Sequence, residues 1–357
     1  MSMSTLLLEN PQAANVSYNR PLEVTTHEAW YNLGIILIQS GQFEEAIATV
    51  DQVLEREPDL YQLWYNRGIA LDKAGRHEEA IASYDKAVKL QPDFYPAWYN
   101  RGNALVNLKQ YEAAKLSYDQ ALNLKPNLHQ AWYNRGNVLF SLQRFLEAIT
   151  SYQDALKIKP DKYEAWYNQG HAWVHLKQFQ EAIASYDEAL KIKPDAHEAW
   201  NNRGGALYRL DRFPEAVASY NEALKLKYQQ PSSWYYRGNA LVNLRYFQDA
   251  VASYDEALKI KPDKYEAWYN RGYALLQLGD YPGALASFDK TIEFKSDNAN
   301  AFYNKACCYA LQGNVDLAIE NLQKTLNLNP DQYRELATND SDLASIRHDQ
   351  RFHKLIY

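Results

Sequence analysis

Small and hydrophobic residues recur along this chain on interleaved helical stripes. Within residues 95–128, Trp98, Gly102 and Leu105 lie four and three residues apart, on one side of a helix. Ala114 and Tyr118 begin a second stripe, and Pro126, which has no N–H to continue a helix, closes the segment. Strand punctuation is sparse. The pattern predicts two antiparallel helices joined by a short turn, with the missing side chain of Gly102 letting the second helix approach closely.

The same pattern returns every thirty-four residues. Tryptophan occupies Trp30, Trp64, Trp98, Trp132, Trp166, Trp200, Trp234 and Trp268, with Phe302 in the ninth slot. Four residues later stand Gly34, Gly68, Gly102, Gly136, Gly170, Gly204, Gly238 and Gly272, then Ala306. A third file, Ala46 to Ala318, is followed in most units by Tyr or Phe, as at Tyr84, Tyr118 and Tyr152. Nine units result, at 27–60, 61–94, 95–128, 129–162, 163–196, 197–230, 231–264, 265–298 and 299–332. Truncating a buried aromatic to alanine costs about 3 to 5 kcal/mol, so the tryptophan file reads as a buried core ladder.

With these positions in phase, segments such as AWYNRGNALVNLKQYEAAKLSYDQALNLKP, residues 97–126, resemble the tetratricopeptide repeat of bacterial, cyanobacterial-type arrays. The resemblance implies an all-α fold, a right-handed α-solenoid superhelix of about nine antiparallel helix pairs, whose concave groove is lined mainly by the first helix of each pair. The spacing alone indicates stacking, not handedness.

The ends differ. Residues 1–26 read as an N-terminal tail with no basic start, and the apolar run Leu6-Leu7-Leu8 is too short for a signal-peptide core. Residues 333–357, with Leu343, Ile346, Phe352 and Leu355, read as C-terminal capping helices, because a solenoid's last hairpin otherwise exposes its apolar face. One junction departs: Tyr228-Gln229-Gln230 replaces the usual proline-aspartate turn and Pro231 opens the next unit, which predicts an altered turn or a local bend.

Composition narrows the function. Thirty-eight basic residues against forty-four acidic give a net charge of −6, with no global attraction to nucleic acid or anionic membrane. No apolar segment approaches the roughly twenty residues of a membrane span. The adjacent Cys307 and Cys308 lack disulfide geometry and zinc spacing, so a soluble, cytoplasmic protein is expected. No nucleophile with its base, catalytic carboxylate pair or phosphate loop stands outside the repeat, so no enzyme activity and no cofactor are expected.

Opposite the tryptophans, position 6 of the units carries Asn32, Asn66, Asn100, Asn134, Asn168, Asn202, Asn270 and Asn304, and only Tyr236 breaks the file. Asn103, Asn137 and Asn239 extend it at position 9, with Asn107 and Asn243 at position 13. A carboxamide both donates and accepts, the complement of a peptide unit, so the file predicts a groove that binds an extended peptide. It is similar to the asparagine ladder that holds peptides in the repeat domain of O-linked N-acetylglucosamine transferase. Tyr65, Tyr99, Tyr133, Tyr167 and Tyr269 flank it at position 5, with Asn201 as exception, and read either as recognition surface or as packing between first helices.

Position 5 is never lysine, unlike the carboxylate clamps of heat-shock adaptors. Arginine at position 7, as in Arg67, Arg101 and Arg271, can pair with the aspartate after the second-helix aromatic, such as Asp85, Asp119 or Asp255, rather than with phosphates. His171 and His175, four apart, could share a metal ion with Glu164 or Glu198, but no third ligand stands at fixed spacing, and no metal is assigned. The expected function is a non-catalytic scaffold binding an extended peptide of a partner protein in complex assembly. A self-associating module and a regulatory subunit of a separate enzyme are the alternatives.

Overall fold

The computed structural model describes residues 26–356, so the expected tail up to residue 25 lies outside the described residues. Those residues are helical throughout, with no strand among them. They divide into two compact units, one ending at Arg144 and one beginning at Phe145. The first contains helices Thr26–Gln39, Phe43–Leu54, Tyr61–Lys73, His77–Leu90, Tyr95–Asn107, Tyr111–Leu124 and His129–Ser141. The second contains Phe145–Ile158, then five hairpins of the same form from Tyr163–His175 and Phe179–Ile192 to Ala299–Leu311 and Val315–Leu328, and a terminal group of short helices. Consecutive helices pack on one another within each unit, as in a helix-pair solenoid.

Inside each hairpin the closest approach is glycine against the second-helix aromatic. A β-carbon on Gly102 would stand 2.6 Å from Tyr118 Cε1, and one on Gly68 2.5 Å from Tyr84 Cε1. Gly170, Gly204, Gly238 and Gly272 meet Tyr186, Tyr220, Tyr254 and Phe288 in the same way. These aromatics are among the largest fully buried side chains of the described residues. The ends vary together with the reason for the glycine: Gly34 faces Val50 at 3.4 Å, and Ala306 shares its core with Leu322, a side chain without a ring to strike.

The turn inside each hairpin needs a left-handed residue. Gly41, Gly75, Gly279 and Gly313 serve with φ between 76° and 81°, whereas Lys109, Gln143, Lys177, Asp211 and Arg245 hold φ of 57° to 62° with a β-carbon in place. Each ends its helix with paired backbone bonds, as where Lys109 N donates to Val106 O and Gln110 N to Leu105 O, both at 2.9 Å.

The tryptophans are not the innermost core expected from the sequence. Trp64, Trp98, Trp132, Trp166, Trp200, Trp234 and Trp268 are only half-buried. Their indole N–H groups reach the preceding turn, donating to the carbonyls of Pro58, Pro92, Pro126, Pro160, Pro194, Tyr228 and Pro262 at 2.8 to 3.1 Å. A buried indole needs a partner, and the turn supplies one at the surface, so the ring bridges core and turn. At the departing junction Tyr228 O replaces the proline carbonyl and Pro231 begins the helix Pro231–Asn243, leaving the repeat in register; the change is local to the turn.

Arginine at position 7 joins neighbouring hairpins. Nε of Arg67, Arg101, Arg135, Arg203 and Arg271 lies 2.6 Å from an Oδ1 of Asp51, Asp85, Asp119, Asp187 and Asp255 in the preceding second helix. Nη1 of Arg101 then donates to buried Ser117, and Arg203 and Arg271 reach Ser219 and Ser287 alike. Where Asn221 replaces the aspartate, Arg237 Nε still donates to it at 2.7 Å, but burial, opposed only in part by Asp249, holds this guanidinium below its ordinary pKa.

At the C-terminus, helix Pro330–Asn339, the 3-10 segment Ser341–Ile346 and helix Gln350–Ile356 cover the last hairpin. Leu343, Ile346, Phe352 and Ile356 are buried against Tyr303, Cys307 and Leu322, with Leu355 partly buried beside them. Tyr303 Oη donates to Asp340 at 2.6 Å.

Candidate recognition surface

The position-6 asparagines lie along first helices, and most of them reach back one unit. In the first compact unit, Asn100 Nδ2 donates to Tyr65 Oη at 3.0 Å, and Asn134 Nδ2 to Tyr99 Oη at 3.1 Å. In the second, Asn202, Asn270 and Asn304 donate to Tyr167, Tyr235 and Tyr269 at 3.0, 3.3 and 3.1 Å. The partners are thirty-five residues apart, one repeat plus one position, so the 34-residue period fixes this bond. Burial raises the pKa of the Tyr65, Tyr99, Tyr167, Tyr235 and Tyr269 phenols, which keeps them neutral acceptors.

Position 9 completes the network where it is asparagine. Asn103 Oδ1 accepts from Asn134 Nδ2 at 3.0 Å and from Tyr118 Oη at 2.7 Å. Asn239 Oδ1 accepts from Asn270 Nδ2 at 2.9 Å and from Tyr254 Oη at 2.8 Å. In the unit between, His171 Nε2 takes the same place, accepting from Asn202 Nδ2 at 2.9 Å.

This arrangement alters the expectation of a ladder that offers donors and acceptors alike. Both hydrogens of Asn134, Asn202 and Asn270 are spent within the protein, because a phenol and a position-9 acceptor lie within reach. In the second compact unit the carbonyl oxygens of Asn202, Asn270 and Asn304 take no partner among the described residues, and none is enclosed. The surface these residues present is therefore a row of acceptors.

Other sequence-selected residues fall differently. Asn32 is exposed, while Asn66 is 3 % exposed with its Nδ2 unpartnered, Ile35 standing at position 9 of the unit before. Asn137, Asn168 and Tyr133 are half-buried. Asn107 lies 3.4 Å from His77 Nδ1, and Asn243 Nδ2 donates to Tyr208 Oη at 3.2 Å. His175 stacks on Phe145, ring centroids 4.6 Å apart. Glu164 pairs with Lys162 and Glu198 with His197. No three His, Cys, Asp or Glu side chains gather to hold a metal ion among the described residues. Burial pushes the Cys308 thiol up to about 12 and Cys307 higher still, which leaves both protonated. The sequence reading passed over Gly205, Tyr208 and Arg209; the signal was available, because Asn201 and Tyr236, the two exceptions to their files, meet at one junction.

Stacked helix pairs, left-handed turn residues and interlocking ladders define a repeat solenoid. Models of the tetratricopeptide repeat match residues 28–93, 99–163, 142–197, 178–232 and 235–299, and another matches 299–332. The chain belongs to the tetratricopeptide repeat family, a generally non-catalytic fold for protein interaction, and is a protein-interaction scaffold. Among solved structures, the C-terminal part of a TPR repeat-containing protein from Cytophaga hutchinsonii aligns with a TM-score of 0.60 at 15% identity, over 67% of this chain and 98% of that one. MamA from Desulfovibrio magneticus RS-1 gives 0.45 at 24% identity, over 48% and 96%. YrrB, described as a TPR protein with an unusual peptide-binding site, gives 0.49 at 24% identity, over 52% and 96%. Such identities speak to fold alone. No curated protein matches the chain significantly. No described helix is long and apolar enough to cross a membrane.

Proposed function

We propose that this chain is a non-catalytic adaptor that holds an extended segment of a partner protein along the asparagine row and so brings the partner into a larger complex. The observation that carries the reading is the row of unspent carboxamide oxygens at Asn202, Asn270 and Asn304 in the second compact unit. An extended peptide presents backbone N–H groups, and acceptors already oriented by bonds to the preceding tyrosines lose little freedom when they bind them. Each such bond contributes about 1 kcal/mol net, so several are needed, and a repeating row provides them.

The test is selection of a random twelve-residue phage-displayed peptide library on the intact chain, followed by titration of enriched peptides. A triple variant, Asn202→Ala, Asn270→Ala and Asn304→Ala, is expected to weaken them about tenfold or more while circular dichroism stays unchanged. Equal binding to the helical variant, or no enrichment on the wild type, sinks the reading.

A further inference from the structure

Two exceptions to the ladders meet between the sixth and seventh repeats. Asn201 stands where other units carry tyrosine, and Tyr236 stands where they carry asparagine. The usual bond between those positions is replaced: Asn201 Oδ1 accepts from Ser233 Oγ at 2.7 Å. Tyr236, 44% exposed, lays its ring nearly parallel to Tyr220 with centroids 6.3 Å apart, and meets Tyr235 at 5.2 Å.

Position 9 of the sixth repeat is Gly205, and packing does not explain it. A β-carbon on its neighbour Gly204 would strike the Tyr220 ring at 2.8 Å, but one on Gly205 would meet only the Tyr220 hydroxyl, at 3.9 Å. Glycine weakens a helix interior, so this residue costs stability and returns open space. That space lies over the Tyr220 hydroxyl. The equivalent hydroxyls of Tyr118 and Tyr254 donate to Asn103 and Asn239; with no side chain at Gly205, Tyr220 lacks this acceptor.

Two further groups border the gap from the same helix. Tyr208, three residues on, accepts from Asn243 Nδ2, which leaves its own O–H proton unspent. Arg209, four residues on, is exposed and forms no ion pair among the described residues, whereas Arg203 on the same helix ends on Asp187. The Tyr220 phenol is raised first by burial and then by Tyr236 and Tyr208, while Arg209 opposes the rise, so the four groups share one neighbourhood.

We propose that this notch receives an aspartate or glutamate side chain of the bound partner segment, its carboxylate paired with Arg209 and accepting from the Tyr220 and Tyr208 hydroxyls, its stem on the face of Tyr236. The inference rests on the peptide-binding reading above. A side chain within the segment fits better than a chain end, because the asparagine row continues on both sides of the notch, at Asn202 and Asn270. A charged group bound by a guanidinium and phenols is held more tightly than its neutral amide.

The phage-selected peptides supply the test, synthesised with amidated C-termini so that only side chains carry carboxylates. Enriched peptides are expected to share one acidic position, and changing it to Gln or Asn is expected to weaken anisotropy-measured binding about tenfold. Arg209→Gln should bring the acidic peptide down to its amide counterpart and leave the counterpart unchanged. Gly205→Asn, which installs the residue of the third and seventh repeats, should abolish the acid preference while melting temperature holds or rises. Peptides that depend on Asn202, Asn270 and Asn304 but show no acid preference, or keep it in Arg209→Gln, overturn the notch and leave the groove standing. Peptides insensitive to the asparagines, or none enriched, overturn both.

Discussion

Two ladders connect neighbouring repeats, and they differ in what they leave over. On the arginine side, Arg101 places Nε on Asp85 and Nη1 on buried Ser117, so its charge is paired within the protein and two of its five N–H donors are bonded there. On the asparagine side, Asn134 spends its amide hydrogens on Tyr99 and Asn103 and keeps its carbonyl oxygen. Both ladders hold repeats together at bonds that recur with the period. What they leave over differs in kind: guanidinium N–H groups beside an already paired carboxylate on one side, carboxamide oxygens on the other, and only the oxygens complement the backbone N–H groups of an extended peptide.

The comparison would break first at Tyr118, whose ring belongs to the core and whose hydroxyl belongs to the asparagine network. Gly102→Ala sets a β-carbon against that ring and is expected to cost about 2 to 3 kcal/mol in urea unfolding. The cost should shrink in a Tyr118→Leu background, which reproduces the natural pairing of Ala306 with Leu322; an equal cost in both backgrounds would refute the steric account.

Next comes a direct contrast. Arg101→Ala is expected to lose about 1 to 2 kcal/mol of stability, through Ser117 and lost packing on Trp98, with peptide affinity unchanged. Asn202→Ala, which removes the equivalent bonds in the second unit, should lose about 1 kcal/mol and weaken peptide binding severalfold. Equal effects of both variants on peptide affinity would erase the distinction between the ladders.

Smaller again is the turn that sets their phase. Lys109→Gly replaces a β-carbon-bearing residue at φ 58° and should raise the thermal midpoint, a gain of about 0.5 to 1 kcal/mol, with no change in peptide affinity.

The smallest expected effect is a pH dependence in the second compact unit. Burial, and then His175, hold the His171 pKa below the ordinary imidazole value, since its neutral Nε2 accepts from Asn202. The unfolded chain therefore binds this proton first as pH falls. The stabilising contribution is complete above the ordinary imidazole value and is lost as pH drops through the folded value. His171→Asn keeps an acceptor and should flatten that part of the stability curve between neutral and mildly acidic pH. An unchanged slope would show that another group carries it.

Much of this was legible in the sequence because a strict period turns each local preference into a file. Gly102 and Tyr118, Arg101 and Asp85, and Pro126 with Trp132 could be assigned to hairpins, pairs and turns by spacing alone. The depth of the tryptophans was not legible. Helical phase says which side a residue takes, but an indole that must bond its N–H to a turn carbonyl stays near the surface, while the smaller phenol of Tyr118 fills the interior. The direction of the asparagine amides was equally hidden, since a carboxamide on a groove-facing stripe can turn outward or back.

The sequence by itself determined the helix pairs, their number and register, and the family to which they belong, because periodic apolar and small residues leave a helical chain few ways to bury its stripes. Tertiary structure alone decided which polar groups remain for a partner. Tyr65 and Asn100 meet only when consecutive hairpins stack, and the space beside Gly205 comes to lie over the Tyr220 hydroxyl only when the two helices of its hairpin pack. Hydrogen-bond capacity is what remains after neighbours have taken their share, and those neighbours are chosen by packing across repeats.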